Sequence, residues 1–295
     1  MRVNSRDLNT VADFELGVPL TYDGNLDLIK ACINRLLPSM ASHEAGIELH
    51  IETEAPPGSG LGASSALVVA VVGAFCRWRH IELDDYDLAH LAWEIEREDL
   101  GVPGGMQDQY AATFGGFNFI EFRGGRDVLV NQLRLPTRTV NELQYNLVLV
   151  FTGNTRTSAR IIEAQVAGYE RHLRDVVAAF DRIKALTVAA KEALLKGKLN
   201  DLGALLHEEW LEKKRTAHSV TTDHVEELYD EARKAGALGG KLSGAGGGGF
   251  MFLYCPAERK RAVTERLTVL GAQVLPIAFT HEGLVSWSWT DAASE

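Results

Sequence analysis

The sequence predicts an α+β fold, and three observations support this prediction. Alternating apolar and polar residues over 11–16 and 46–52 indicate half-buried strands of an open antiparallel or mixed sheet. From 158 to 235 the apolar residues recur at helical spacing between charged faces. A chain of 295 residues with 46% hydrophobic residues can bury the core of one large or two medium domains. We therefore expect sheet and helix in separate segments of a globular protein.

The individual elements follow in chain order from periodicity and from helix-breaking residues. Apolar residues at helical spacing predict a helix over 27–37 that ends at Pro38. The Ala-, Leu- and Val-rich run over 63–78 is too long for a typical strand and predicts a buried helix. A further helix is predicted over 84–99, because it begins on an acidic pair and places its apolar residues on one face. Further strands are predicted at 147–151, 250–254, 273–277 and 284–289.

The domain boundary is placed where the mixed pattern gives way to a helical one. This change follows the apolar strand predicted at 147–151. It predicts two domains, 1–155 and 156–295. The sequence contains no internal repeat or low-complexity tract that would indicate another organisation.

The composition argues against several functional classes. Thirty basic and forty acidic residues give a net charge of −10, so no nucleic-acid or membrane partner is expected from electrostatic attraction. The longest apolar run, 66–76, has about half the length that a bilayer span needs. The cysteines Cys32, Cys76 and Cys255 are too scattered for a disulfide framework or a Cys-x-x-Cys metal site. The N-terminus carries no apolar signal segment, and we expect a cytoplasmic enzyme.

The first stretch that carries chemistry is Pro-Pro-Gly-Ser-Gly-Leu-Gly-Ala-Ser-Ser-Ala at 56–66, between a predicted strand and a predicted helix. Its glycines let the backbone approach a ligand, and the helix N-terminus adds about half a positive charge, a combination that binds phosphate. No Lys-Ser or Lys-Thr pair follows, so the stretch is not a Walker A loop. Ala63 stands where a dinucleotide fingerprint needs its third glycine. A tight turn into a buried helix is the alternative.

The second stretch is Gly-Gly-Lys-Leu-Ser-Gly-Ala-Gly-Gly-Gly-Gly at 239–249. It formally satisfies Gly-x-Gly-x-x-Gly, but it leads into a predicted strand rather than a helix, which argues against a nicotinamide site. So many glycines are costly in conformational entropy, and this cost usually accompanies close approach of the backbone to a ligand or to another backbone segment. A flexible hairpin connection is the alternative.

The third stretch surrounds a lone carboxylate, Asp108. It follows Gly-Val-Pro-Gly-Gly-Met-Gln in a predicted glycine-rich turn with apolar flanks, which makes it a candidate catalytic base or metal ligand. The acidic residues at 94–99 end a predicted helix and oppose its dipole, so a metal or another cation would explain them. For Glu94 and Glu98, one turn apart, a solvated acidic face is the preferred interpretation.

Segments 56–66 and 241–249 resemble the second and third motifs of the GHMP small-molecule kinases, which include galactokinase, homoserine kinase and mevalonate kinase. Two such motifs in this order, each in its expected context, are more specific than either alone. Segments 101–118 and 152–158 narrow the resemblance to the branch that phosphorylates heptose 7-phosphate. The resemblance covers essentially the whole chain. It implies a two-domain α+β fold, with a ribosomal protein S5 domain 2-like first domain and a ferredoxin-like second domain.

The resemblance also implies ATP and Mg²⁺ as cofactors and assigns residues to them. Ser64 and Glu96 match the metal ligands, and Asp108 matches the base of those members that use one. The residues implied to wrap the phosphates of ATP are Pro57, Gly58, Ser59, Gly60, Leu61, Gly62, Ala63, Ser64 and Ser65. The residues implied to contact the sugar are Gly105, Asp108, Arg156, Gly244, Ala245 and Gly246.

The function that the resemblance implies is transfer of the γ-phosphoryl group of ATP to a sugar hydroxyl, with O1 of D-glycero-D-manno-heptose 7-phosphate as the specific expectation. Arg156, Arg160 and Lys213 are candidates for binding the sugar's own phosphate, but salt bridging on helix surfaces is the preferred interpretation for each of them. A fucose- or galactose-type GHMP sugar kinase is the alternative enzyme. A catalytically silent nucleotide- and sugar-binding regulator is the alternative from another class.

One motif of the family has no counterpart in this sequence. It is an N-terminal strand and loop that contains Gly-Gly-Gly-Thr-Asp in the heptose branch, and it contributes a basic residue and sugar contacts. We therefore expect either a misassigned start or a fragment, and a more stable and more active protein when the upstream sequence is included. The sequence leaves the oligomeric state open.

Overall fold

The computed structural model describes residues 1–38, 46–56, 58–153 and 158–289. Spatial contacts divide the chain into two compact units. The first unit comprises Met1–Pro56, Gly62–Val130 and Thr280–Glu295. The second unit comprises Pro57–Leu61 and Asn131–Phe279. These limits differ from the predicted domains 1–155 and 156–295, which stay a prediction.

The first unit contains a three-stranded sheet in the order β2-β1-β3. Strand β1 (Arg2–Ser5) pairs antiparallel with β2 (Thr10–Asp13) and parallel with β3 (Glu48–Ile51), so the predicted mixed sheet is confirmed. The sequence analysis missed β1. Its buried positions are Val3 and Ser5, and the polar serine interrupts the apolar alternation that predicts a strand.

Helices α1 (Asp27–Leu36), α2 (Ala63–Arg79) and α3 (Asp85–Trp93) confirm the helices predicted in this part of the chain. Helix α3 continues into a π-helical segment, Glu94–Asp99, and α4 (Gln107–Phe114) follows. The core of the unit forms where the apolar faces of these helices meet the sheet, because residues of α1, α2, α3 and β1 pack in one buried cluster. A two-stranded sheet of β4 (Asn118–Phe122) and β5 (Val128–Gln132) follows α4 along the chain.

Two predictions in the first unit are wrong. Asp108 lies in the first turn of α4 and not in a glycine-rich turn, because the helix begins at Gln107 and its N-terminal dipole favours an acidic residue there. Residues 284–289 form no strand. Leu284 donates its N–H to the carbonyl of Thr113 at 3.0 Å, but Trp287 is 75% exposed, so the apolar alternation does not reflect burial.

The second unit contains a four-stranded antiparallel sheet in the order β7-β8-β6-β9. Its strands are β6 (Leu147–Phe151), β7 (Gly239–Leu242), β8 (Phe250–Tyr254) and β9 (Gln273–Leu275). Its helices are α5 (Thr137–Asn146), α6 (Ser158–Glu170), α7 (Arg174–Leu195), α8 (Leu199–Thr216), α9 (Asp223–Ala235) and α10 (Ala257–Val269). The helical pattern over 158–235 is confirmed. The central strand β8 is buried at four of its five positions, whereas β6 alternates between half-buried and buried positions.

None of the helices in the described part of the chain combines the length and the apolar character of a bilayer span. The three cysteines are free and buried. Burial raises the pKa of the Cys32 and Cys255 thiols to about 12 and also raises the pKa of the Cys76 thiol.

We expect the native protein to react very slowly with a thiol reagent such as dithionitrobenzoate, because the thiolate is the reactive form and burial disfavours it. All three thiols should react once guanidinium unfolds the chain. A time course of absorbance in native buffer and in denaturant checks this expectation. Rapid modification of one thiol in native buffer would contradict the buried position of Cys32, Cys76 or Cys255.

Candidate active site

A buried carboxylate, Glu96, is the centre of a hydrogen-bonded cluster in the first unit. Glu96 is only 1% exposed to solvent. The hydroxyl of Ser64 donates to Oε1 at 2.8 Å, and the hydroxyl of Ser65 donates to Oε2 at 2.7 Å. The side-chain amide of Gln109 also donates to Oε2 at 2.7 Å. Oε2 therefore accepts two hydrogen bonds, from Ser65 and Gln109. Oε1 accepts its hydrogen bond from Ser64, which is exposed.

These groups come from three helical elements of the first unit. Ser64 and Ser65 lie in the first turn of α2, and Glu96 lies in the π-helical segment, whose wider turn is often found at functional sites. Gln109 lies in α4, one residue after Asp108, and is fully buried. The guanidinium of Arg97 adds a positive charge, with Nη1 3.5 Å from Oε1 of Glu96. The cluster thus links the loop serines, the buried carboxylate and the helix that carries Asp108.

Asp108 is half-buried, and burial raises the pKa of its carboxyl group above the ordinary value. A hydrogen bond from Gln107 and the charge of Arg97 oppose this shift, and the charge of Glu96 adds to it. A β-carbon on Gly62 would lie 3.3 Å from the carboxyl carbon of Asp108. The backbone at the N-terminus of α2 therefore approaches Asp108 closely, and only a residue without a side chain leaves this space open.

In the second unit, two glycine-rich segments from distant parts of the sequence pack against each other. Ser243 donates its hydroxyl to the carbonyl of Gly60 at 2.9 Å. Phe250 donates its N–H to the carbonyl of Ser59 at 3.3 Å, and a β-carbon on Gly249 would lie 2.3 Å from that oxygen. A β-carbon on Gly244 would lie 2.8 Å from the carbonyl oxygen of Gly60. The glycines at 244 and 249 thus allow this segment to pack against the backbone of residues 59 and 60. The same segment connects the strands of the β7–β8 hairpin.

Positive φ values mark both segments. They occur at Gly58, Gly60 and Gly62, and at Gly244 and Gly246–Gly249, where side chains would be strained. Gly62 has φ 75° and immediately precedes α2, so the N-terminal N–H groups of that helix have no side-chain cap. An uncapped helix N-terminus after a glycine-rich loop is the backbone arrangement that binds phosphate.

The structure describes most of the predicted site residues. Pro57 and Arg156 lie outside the described residues. The cluster brings Ser64 and Ser65 together with Glu96. The remaining loop and substrate residues are described, and their ligand roles stay predictions: Gly58, Ser59, Gly60, Leu61, Gly62, Ala63, Gly105, Gly244, Ala245 and Gly246.

The sequence analysis missed the roles of Gln109 and Arg97, and it preferred a solvated face for Glu94. Glu94 instead pairs with Arg126 at 2.6 Å and with Arg35 at 3.6 Å. No local signal marked Gln109, because it meets Glu96 only across 13 residues of sequence. Such contacts cannot be predicted from α-helical spacing, because the π-helical segment 94–99 has a wider turn.

The donor set at Glu96 suits a hard cation. Among the described residues there is no group of three or more histidine, cysteine, aspartate or glutamate side chains that would hold a metal alone. Mg²⁺ does not need one, because it is usually bound through one or two carboxylates together with waters and substrate phosphates. The hydroxyl of Ser64 and Oε1 of Glu96 provide oxygen ligands of this kind, so the residues fit Mg²⁺.

Comparisons with known proteins agree with this arrangement. The model of the GHMP kinase N-terminal domain matches residues 27–116, and the model of the GHMP kinase C-terminal domain matches residues 190–269. The chain is 41% identical over 286 residues to D-glycero-alpha-D-manno-heptose 7-phosphate kinase of Campylobacter jejuni. The aligned region covers 96% of this chain and 83% of that protein. The chain belongs to the GHMP kinase family. It is therefore a phosphotransferase with an alcohol group as acceptor, and ATP is its phosphoryl donor.

Two further relatives show how far the similarity extends within this GHMP kinase family. The crystal structure of a D-glycero-D-manno-heptose 1-phosphate kinase from Bacteroides thetaiotaomicron has a TM-score of 0.75 and 33% identity, with 97% of this chain and 83% of that chain covered. Mevalonate kinase of Pyrococcus furiosus is 28% identical, with 88% of this chain and 74% of that protein covered. The predicted family and two-domain α+β fold are confirmed.

We expect Gly62→Val to weaken ATP binding by about 10- to 100-fold, the loss expected when hydrogen bonds to a charged group are removed. The valine would occupy the space between the backbone and Asp108 and would block approach of a phosphate. Gly125→Val is the matched control, because Gly125 also has positive φ but has open space around it. Calorimetric titration with ATP checks the prediction. Equal ATP affinity in folded Gly62→Val and in the control would contradict it.

Proposed function

We propose that this GHMP kinase transfers the γ-phosphoryl group of ATP to O1 of D-glycero-D-manno-heptose 7-phosphate. The names of two relatives support this substrate, since one is a heptose 7-phosphate kinase and the other a heptose 1-phosphate kinase. The observation that carries the catalytic part of the proposal is the cluster of Ser64 and Glu96 in the same unit as the half-buried Asp108. Phosphoryl transfer requires these parts more than it requires a covalent nucleophile.

Asp108 is assigned the role of general base. Its ionised carboxylate accepts the proton of the O1 hydroxyl while O1 forms a bond to the γ-phosphorus and the bond to the bridging oxygen of ADP breaks. Its raised pKa makes it a better proton acceptor than an exposed aspartate. The backbone of Gly62 lies against this carboxyl group, so that a side chain at position 62 would crowd it.

Ser64 and Glu96 are assigned to hold Mg²⁺ beside the ATP phosphates. The bound ion would neutralise negative charge that develops on the phosphate oxygens. Ser65 and Gln109 occupy Oε2 of Glu96 and orient the carboxylate, so that Oε1 is directed to the same side as the hydroxyl of Ser64. The chain thereby brings two oxygen ligands together, and the hydroxyl of Ser64 would turn its hydrogen away from Oε1 when the ion binds.

The loop 58–65 is assigned to the phosphates of ATP, through its backbone N–H groups and the N-terminus of α2. Gly105, Gly244, Ala245 and Gly246 are assigned to the sugar. A β-carbon on Gly105 would meet no atom within 4 Å, which leaves space for a ligand. We also propose that the enzyme acts in the cytoplasm, since its three free cysteines suit a reducing compartment.

The test is transfer of phosphate from Mg²⁺-ATP to a panel of acceptors: heptose 7-phosphate, unphosphorylated heptose, fucose and galactose. We expect ADP release with heptose 7-phosphate and a new phosphorus resonance coupled to the anomeric proton. Preferred turnover of fucose or galactose would favour the alternative sugar kinases. Binding of ATP and heptose 7-phosphate in calorimetry with no turnover of any acceptor would favour a silent regulator. Either result would overturn the proposal.

A further inference from the structure

Lys213 lies in the last turn of α8, and its ammonium group contacts the glycine-rich connection of the β7–β8 hairpin. Nζ donates to the carbonyl oxygen of Gly244 at 2.5 Å. Gly244 in turn lies against Gly60, since a β-carbon on Gly244 would be 2.8 Å from the carbonyl oxygen of Gly60. The ammonium group therefore reaches the place where the two glycine-rich segments, 58–61 and 243–249, meet within the second unit.

The charges around Lys213 are paired, and its own charge is not. Three neighbouring cations have carboxylate partners: Lys214 with Glu226 at 2.6 Å, Arg215 with Glu212 at 2.6 Å and Lys241 with Glu209 at 2.5 Å. Among the described residues, no carboxylate oxygen lies within 4 Å of Nζ of Lys213. The interpretation as a helix-surface salt bridge, which the sequence analysis preferred for this residue, is therefore wrong.

An unpaired, half-buried ammonium group is unfavourable in the protein alone. Burial and the like charge of Lys241 lower the pKa of Lys213 to about 8, and the charge of Glu209 only partly compensates. The single neutral carbonyl of Gly244 uses one of three N–H donors. An anion at this position would both balance the charge and satisfy the remaining donors.

We propose that Lys213 binds a phosphate group of one of the two substrates. A lysine ammonium is a compact point charge that commonly binds phosphate. The phosphate has two possible sources, the sugar's own phosphate and the γ-phosphate of ATP. The inference rests on the proposed function, since it requires that the enzyme bind both of these substrates.

The experiment compares Lys213→Met with Lys213→Arg and with Lys214→Met. Lys214→Met is the matched control, because it removes a positive charge from the same helix end, but one that is paired with Glu226. Michaelis constants are measured for ATP, for D-glycero-D-manno-heptose 7-phosphate and for the unphosphorylated heptose. We expect Lys213→Met to raise the KM of one phosphate-bearing substrate by about 10- to 100-fold, the loss of a charged hydrogen bond. Lys213→Arg should retain part of the affinity.

The pattern of KM changes identifies the source. A rise for heptose 7-phosphate, with no change for unphosphorylated heptose, assigns Lys213 to the sugar's phosphate. A rise for ATP with either acceptor assigns it to the γ-phosphate. Changes of less than about threefold for both substrates, or equal changes in Lys214→Met, would overturn the inference, because a charged hydrogen bond contributes more than this.

A second measurement uses the unmodified enzyme and does not depend on a variant that folds. The native protein is treated with acetic anhydride, and acetylation of Lys213 is quantified by mass spectrometry with and without Mg²⁺-ATP or heptose 7-phosphate. Protection by one of them is expected, and no protection by either would overturn the inference. If the wild-type enzyme does not phosphorylate heptose 7-phosphate, the proposed function fails, while protection by Mg²⁺-ATP still tests Lys213 separately.

Discussion

Asp108→Asn is expected to lower the rate of phosphoryl transfer by about 10²–10⁴-fold, the usual effect of losing a general base. Asparagine keeps the size of the side chain and can still accept the hydrogen bond from Gln107, which is 3.3 Å long in the native protein. It cannot take up the proton of the acceptor hydroxyl. ATP affinity should change far less, because the loop 58–65 and the oxygens of Ser64 and Glu96 are assigned to the nucleotide. Turnover and calorimetric ATP binding measured on the same preparation check both parts.

The alternative role of Asp108 is to stabilise the first turn of α4 through the helix dipole. In that case Asp108→Asn would cost only about 0.3–1 kcal/mol in the free energy of unfolding and would leave turnover within a few fold of wild type. Asp85→Asn is the matched control, since Asp85 is also an acidic residue in the first turn of a helix. Similar turnover of the two variants would remove Asp108 from the mechanism.

The pH dependence of kcat/KM should show the raised pKa of Asp108. The base acts in its ionised form, so the rate should fall as the pH is lowered through this pKa, and the fall should begin above the pH at which an ordinary aspartate is protonated. Gln107→Leu removes a hydrogen bond that favours the ionised carboxylate, so it should shift the fall to still higher pH. A pH profile that is the same in Gln107→Leu and wild type would contradict the assignment of this limb to Asp108.

Much of the fold could be predicted because its signals are local. The apolar sequences over 63–78 and 250–254 predict the observed α2 and β8 within one residue, although α2 buries only part of its residues and exposes Trp78 by 40%. Prediction failed where tertiary contacts replace the local signal. β1 buries a serine, and residues 284–289 have the alternation of a strand without its burial.

The site was predictable to the extent that it depends on backbone requirements. Glycines at 58, 60 and 62 indicated a loop whose backbone can approach a ligand, and in the structure all three have positive φ. The contacts around Glu96 were not predictable, because Ser65 and Gln109 are separated from it by 31 and 13 residues and meet it only after folding. The sequence also did not show that the charge of Lys213 is unpaired. A sequence lists the charges of a helix end, but it does not show which of them find partners.

Glu96→Gln is expected to lower kcat/KM by about 10²–10³-fold, the range for removing an electrostatic contact to the transition state. The substitution removes the negative charge that holds Mg²⁺. It also directs an amide NH₂ toward the donors of Ser64, or of Ser65 and Gln109, so that at least one buried donor loses its acceptor. The free energy of unfolding should therefore also fall, by about 1–3 kcal/mol. The Mg²⁺ concentration for half-maximal rate, measured at saturating ATP, should rise.

Glu94→Gln and Gln109→Met separate metal binding from folding. Glu94 is a partly buried carboxylate two residues earlier with its own arginine partners, so Glu94→Gln should affect stability but not the Mg²⁺ requirement. Gln109→Met leaves the side chain of Glu96 in place but removes a donor that orients it, and it should raise the half-maximal Mg²⁺ concentration about 10- to 100-fold, as for other supporting residues of metal sites. Thermal stabilisation by Mg²⁺-ADP gives a readout that is independent of turnover. If Mg²⁺-ADP stabilises Glu96→Gln as much as it stabilises Glu94→Gln, then Glu96 has a structural role only, and the metal must be held by other groups.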